Sequence, residues 1–160
     1  MHSYVTYEST TVAILLARLS GAQIGFCASS IREVLRSVTI APLLGTPPII
    51  EGAVNFRGRI VPVVNVRERL SLAALANAPD QFLVILEVND RLIAVRVDDV
   101  EDLVEVPASE LEAPRGVSPV VERLTGIAAT ASGALVIYDA DAFLTQAEQD
   151  ALGANGVVHP

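Results

Sequence analysis

Apolar and polar positions alternate through most of this chain, and that two-residue period predicts strands. Val12 to Leu19 reads as a strand, Ser20-Gly21 as a turn, and Gln23 to Ala28 as the return, with Ile24 and Phe26 on one face. Ile31 to Leu35 has spacing that fits a strand or a single helical turn. Residues 42–48, PLLGTPP, form a Pro/Gly loop. Ile49 to Val66 is a hairpin folded at Arg57-Gly58-Arg59, where Gly58 suits a turn needing positive φ. Pro62 interrupts its second strand, which predicts an edge position or a bulge. Residues 71–81, SLAALANAPDQ, are a connector with some helix propensity and a stop at Pro79. Phe82 to Val88 and Arg91 to Val97 flank Asn89-Asp90, a turn dipeptide of the primed type, and Val100 to Val106 extends the run to Pro107. Residues 107–119 are loop-rich. Thr125 to Thr130 and Ala134 to Tyr138 read as strands around Ser132-Gly133. Thr145-Gln146-Ala147-Glu148 is a capping box, so a short helix is expected from Gln146 toward Leu152, ending near Gly153.

The two halves of the chain resemble each other. Ile24, Phe26, Ala28, Ile31 and Val34 match Ile93, Val95, Val97, Val100 and Leu103 at one constant offset, which sets Glu33 opposite Asp102. At a second constant offset Gly52 matches Gly126, Val61 and Val63 match Leu135 and Ile137, Asn65 matches Asp139 and Leu70 matches Leu144. Apolar matches alone are cheap between half-buried sheets, but the paired Gly and Asn/Asp positions make a degenerate duplication credible. The expectation is a mainly all-β chain of two similar small β-barrels with about five strands each.

Composition narrows the function. Apolar residues make up 51% and charged residues 19%, which disfavours disorder. The net charge of −8 disfavours nucleic acid and anionic membrane surfaces as partners. All 11 basic residues are Arg, so lysine Schiff-base and P-loop chemistry are excluded. Cys27 is the sole cysteine, which fits a reducing compartment, and its place beside Phe26 suggests a small buried apolar residue. The longest apolar runs are far shorter than the roughly 20 residues of a membrane span, and MHSYVTYEST lacks the form of a secretory signal. A soluble intracellular protein is expected.

Catalytic equipment is sparse. His2 and His159 sit beside the two termini, and Ser29 and Ser30 lack a Gly-x-Ser-x-Gly setting. No phosphate loop, dinucleotide fingerprint or metal-ligand spacing occurs, so no cofactor and no catalytic residue is assigned. The acidic run Asp98-Asp99-Glu101-Asp102-Glu105 admits a metal reading, since hard cations take carboxylates. Its alternation with Val97, Val100, Leu103, Val104 and Val106 favours one solvated face of an edge strand that deters aggregation. Arg67, Glu68 and Arg69 read as a salt-bridged surface turn of little energetic worth.

The segment Asn55-Phe56-Arg57-Gly58, followed by Ile60-Val61-Pro62-Val63-Val64 and Val66-Arg67, resembles the signature of the CheW-like coupling proteins of bacterial chemosensory arrays. Phe56 stands where Leu is usual and Asn65 where Asp is usual; the family also has a Gly near Asp99. The resemblance covers about residues 12–152. It implies two SH3-like five-stranded barrels packed over a shared core as a single domain over 12–152, with residues 1–11 and 153–160 as flexible termini. It also implies a non-enzymatic adaptor between the cytoplasmic tip of a methyl-accepting chemoreceptor and the regulatory domain of a CheA-type histidine kinase. Such an adaptor is cytoplasmic, recruited to membrane receptor arrays without inserting, and binds no nucleic acid.

For Arg57 the residues leave two readings, a solvated turn or a partner contact. The duplication bears on the choice, because Ala131 stands at the matching corner and the fold therefore does not demand Arg. The resemblance implies contact, with Asn55, Arg57 and Gly58 of the corner and Ile31 and Glu33 of the Ile31-Arg32-Glu33-Val34 segment facing the receptor. Glu33 has the alternative of a plain exposed strand carboxylate. Kinase-contact residues are not readable, although the second barrel and its hairpin ends are the expected side. Two other readings stand beside the adaptor: a regulatory CheW-like module of a larger signalling protein, and a small metal-dependent β-barrel enzyme built on the acidic run.

Overall fold

A computed structural model describes residues 11–69, 73–74, 76–88, 90–107, 124–130 and 133–138. The expected C-terminal helix, most of the 107–119 loop and both expected flexible termini, apart from Thr11, lie outside these residues. Ten strands are described: β1 (Thr11–Leu19), β2 (Ala22–Cys27), β3 (Ile31–Arg36), β4 (Ile50–Phe56), β5 (Arg59–Val64), β6 (Phe82–Val88), β7 (Arg91–Val97), β8 (Asp99–Pro107), β9 (Leu124–Thr130) and β10 (Gly133–Tyr138). A 3₁₀ turn, Ala28–Ser30, precedes β3, which settles Ile31–Leu35 as strand rather than helix. The hairpins β1–β2 and β4–β5 close with two-residue turns, Ser20-Gly21 and Arg57-Gly58, and all four of these residues have positive φ. That is the primed geometry whose twist matches a hairpin, and Asp90 at φ 64 agrees with the same turn between β6 and β7.

The strands form two five-stranded sheets, β8-β1-β2-β10-β9 and β3-β6-β7-β5-β4. No ladder joins the end strands of either sheet among the described residues, so the barrels are open. The duplication is present down to register. β5 runs parallel to β7 with Val63 beside Ala94, and β10 runs parallel to β2 with Ile137 beside Gly25, the pair expected from the two offsets. Bulges repeat as well: Arg32 on β3 corresponds to Glu101 on β8, and Glu51 on β4 to Thr125 on β9. The halves, however, are interlaced. Each sheet takes two strands from one half and three from the other, so neither half makes a barrel alone.

Three apolar clusters follow from this layering. Val54, Phe56, Val61, Val63, Leu83, Ile85, Leu92 and Ala94 fill the inside of the second sheet. Ile14 and Val106, with Val12, Leu16, Cys27 and Val104 against them, fill the first. Between the sheets lies a shared core containing Ala17, Leu19, Ile24 and Phe26 from the first sheet and Val64, Val84, Leu86, Ile93, Val95 and Val97 from the second. β6 and β7 are buried on both faces, which is why their sequences read as continuous apolar runs. Half-buried Cys27 packs as an apolar residue.

Three expectations need correction. Pro62 lies on β5, an inner strand, and at no bulge. Opposite it, the N–H and C=O of Ala53 both turn away to Ala41, so the imino nitrogen of Pro62 faces β7, where the ladder begins only at Val63. Proline is tolerated there because no ladder donor is missing. The run Arg91 to Val106 is not continuous: it breaks at Asp98, and β7 and β8 belong to different sheets. The described connector residues 73–74 and 76–81 are not helical, and a short helix stands instead at Val66–Arg69 (α1), where Asn65 Oδ1 accepts the Glu68 N–H at 3.2 Å. An Asn fills this capping role as an Asp would.

Candidate functional site

The β4–β5 corner is built from its own sequence. Asn55 Oδ1 accepts the Gly58 N–H at 2.9 Å and closes the turn. Phe56 is buried in the barrel interior, so an aromatic ring serves where an aliphatic side chain would. Arg57 cannot follow it inward. Its guanidinium lies 5.0 Å from the Phe56 ring centroid and forms an ion pair with Glu33 of β3. β3 and β4 are the two end strands of the second sheet, so this pair spans the open side of the curled sheet. The Arg57 side chain keeps 69% of its surface exposed and Glu33 31%. Pairs this wet contribute about 0–1 kcal/mol, so the corner is not there chiefly for stability.

Glu33 therefore sits with Arg57, and Asn55 with Gly58. Ile31 does not join them. The bulge at Arg32 turns it to the other face, where it pairs with Leu86 and packs on the shared core, while Glu33 pairs with Ile85 of the barrel interior. On that junction face Ile31 shares the core with Leu15 and Val100. Leu103, the strand partner of Leu15, is 58% exposed. The expected site is thus two adjoining surfaces, a polar corner and an apolar junction, lying on opposite sides of one bulged strand.

β8 is an end strand, as an acidic edge requires, but its carboxylates do different things. Asp99 and Asp102 accept the N–H groups of Val100 and Leu103, at 2.9 and 2.8 Å, which occupies donors an incoming strand would seek. Glu101 is held by Gln23 at 2.9 Å and Arg18 at 3.0 Å, and these hydrogen bonds lower its pKa. Asp98 turns inward.

Its partner is the largest miss of the sequence reading. Arg67 is no surface residue: it is 2% exposed and the largest fully buried side chain of the described residues. It pairs with Asp98, donates to Ser20 Oγ at 2.9 Å and to the Arg96 carbonyl at 3.1 Å. Burial lowers its pKa and Asp98 opposes the shift; as an arginine it remains a cation. Arg96 is buried too, donating to Glu51 at 2.7 and 3.0 Å and to Gln81 at 3.1 Å. In the sequence Asn65 and Asp98 stand near these arginines, and neither marks an arginine as internal.

Two curled sheets sharing a core, with an exposed Arg corner beside an apolar junction, have the layout of a binding module. The chain belongs to the CheW-like domain family, whose model matches residues 13–148. Members of that family are non-enzymatic scaffolding adaptors. The chain is 24% identical over 143 residues to the chemotaxis protein CheW of Klebsiella aerogenes, covering 88% of this chain and 86% of that protein. It is 28% identical over 111 residues to protein FrzA of Myxococcus xanthus, covering 69% of each. The crystal structure of the scaffolding protein TtCheW from Thermoanaerobacter tengcongensis superposes with a TM-score of 0.78 at 24% identity, over 87% of this chain and 91% of that one. No helix among the described residues is long and apolar enough to cross a membrane.

Proposed function

We propose that this chain is a chemotaxis adaptor that couples a methyl-accepting chemoreceptor to a CheA-type histidine kinase at the cytoplasmic face of a receptor array, through one domain spanning residues 12–152. The observation that carries the reading is the exposed Arg57–Glu33 pair on a closed turn inside the family's signature hairpin, beside an apolar junction that leaves Leu103 open. The receptor tip is a helical hairpin. Its apolar seam suits the junction of Leu15, Ile31, Val100 and Leu103, and its polar flank suits Glu33, Asn55, Arg57 and Gly58. The regulatory domain of the kinase takes a separate face on the second barrel, the sheet that holds β8, β9 and β10, and its hairpin ends. Signalling then depends on holding two partners in fixed geometry, not on bond-making in this chain.

The test is reconstitution with purified kinase, receptor fragment and this chain. Receptor-dependent kinase activation should require the chain, and saturating receptor fragment should leave the kinase regulatory domain bound. Displacement of one partner by the other would overturn the two-surface arrangement.

A further inference from the structure

Among the described residues, the polar group around Arg67 is where side-chain hydrogen bonds pass from one sheet to the other. Arg67 stands on α1, directly after β5 of the second sheet. Its Nη1 donates to the Arg96 carbonyl of β7 in that sheet, and its Nε to Ser20 Oγ in the β1–β2 turn of the first sheet. Its ion-pair partner, Asp98, is the crossover residue from β7 to β8, where the chain passes between sheets. Asp98 Oδ2 accepts the Ser20 N–H at 2.6 Å, and its own N–H donates to the Arg18 carbonyl at 2.8 Å. Ser20 Oγ then donates to the Ala73 carbonyl at 2.6 Å. One guanidinium thus ties the first sheet, the second sheet and the crossover.

Among the described residues the sheets otherwise meet through the shared apolar core, which holds surfaces together but does not fix an angle. Buried charged hydrogen bonds do, because they work only in a narrow geometry. The fold makes its crossover twice, from β7 to β8 and from β2 to β3. At the second crossover Ser29 corresponds to Asp98, Asn89 to Ser20, and Asp141 to Arg67. By sequence the second crossover therefore lacks the residues for an Arg67–Asp98-type pair, so the repeated architecture does not demand it. At the other, an open depression lined by Ser29, Ser30, Arg32, Glu87 and Asp90 lies beside Ile31.

We propose that Arg67 is a positioning residue that fixes the angle between the two sheets, and through it the width of the junction between Ile31, Leu15 and Leu103. Its bearing on receptor binding rests on the function proposed above; the angle itself does not. The experiment places spin labels on exposed positions of each sheet, Glu105→Cys on β8 and Arg59→Cys on β5, in a Cys27→Ala background. The distance distribution should be narrow in the otherwise unaltered chain and broader in Arg67→Met, with Arg67→Lys intermediate because a lysine lacks the fork. Below the melting transition, Arg67→Met should bind receptor fragment roughly tenfold more weakly through lost preorganisation, with affinity for the kinase regulatory domain unchanged. If Arg67→Met does not fold, Ser20→Gly keeps the turn, the Arg67–Asp98 pair and the backbone bonds to Asp98, and removes the Oγ that takes Arg67 Nε and donates to Ala73; it too should broaden the distribution. An unbroadened distribution overturns the proposal, as does an equal loss of both partners in step with the folded fraction. A chain of unaltered Arg67 that binds no receptor fragment sinks the functional reading, and the spin-label distances still decide the angle.

Discussion

Reversing the charge at Arg57 separates a partner contact from a structural one. In Arg57→Glu no cavity opens, because the side chain is mostly exposed. The turn is also unchanged, since Arg57 already holds φ 52 and Glu meets the same backbone cost there. Two interactions are lost, the exposed pair with Glu33, worth about 0–1 kcal/mol, and the stacking over Phe56, worth about 0.5–1 kcal/mol at an exposed site. Like charges then face each other across the open side of the sheet. A total of about 0.5–2 kcal/mol lowers Tm by about 1–8 °C for a chain of this size. The protein should stay folded at assay temperature while receptor-dependent kinase activation falls, with the defect dependent on ionic strength, as for a rim charge. The double variant Arg57→Glu with Glu33→Arg restores the ion pair in reverse. It should recover most of the lost Tm and little of the coupling. Recovery of coupling together with Tm would show that the pair merely closes the sheet. Wild-type melting and coupling in Arg57→Glu would remove the corner from the site.

Three further outcomes follow from particular atoms. Gly52→Ala should cost about 2–4 kcal/mol in urea unfolding, because an added Cβ would lie 2.2 Å from the Ala41 carbonyl oxygen where the two chain segments bridge; unchanged stability would refute that close approach. Leu103→Ser should leave Tm within about 2 °C, as an exposed change does, yet reduce receptor-fragment affinity in titration calorimetry; undiminished affinity would take the β8 side out of the junction surface. Glu101 has its pKa lowered by Gln23 and Arg18, so its contribution is present above the usual carboxylate range and is lost as pH falls through the lowered value. The Tm difference between the native chain and Glu101→Gln should therefore be larger near neutral pH than in acid; a difference that grows on acidification would contradict the sign.

Much of the sheet structure was legible because its causes are local. The apolar residues of Gln23-Ile24-Gly25-Phe26 and the β-branched run Ile60-Val61-Pro62-Val63-Val64 favour strand whatever it pairs with, and Ser20-Gly21 and Arg57-Gly58 supply turn geometry within two residues. The duplicated offsets also came from residue identity alone, and the structure returns them as matched registers and matched bulges. The corner residues were readable too, since Asn55 acts on Gly58 three positions away.

What no local pattern carries is the partner across the fold. Nothing in either half says that β1 and β2 will lie in a sheet with β8 and not with β3, because an edge pairs equally well with any strand of matching register. Nor does sequence place Ile31 and Glu33 on opposite faces: two residues apart they would share a face, and only the bulge at Arg32 against β6 parts them. Arg67 is the clearest case. An arginine in a charged triplet after a hairpin is ordinarily solvated. This one is buried because tertiary folding brings Ser20, the Arg96 carbonyl and Asp98 to meet its Nε, Nη1 and Nη2, and without those acceptors the desolvation of the charge would have kept it in water.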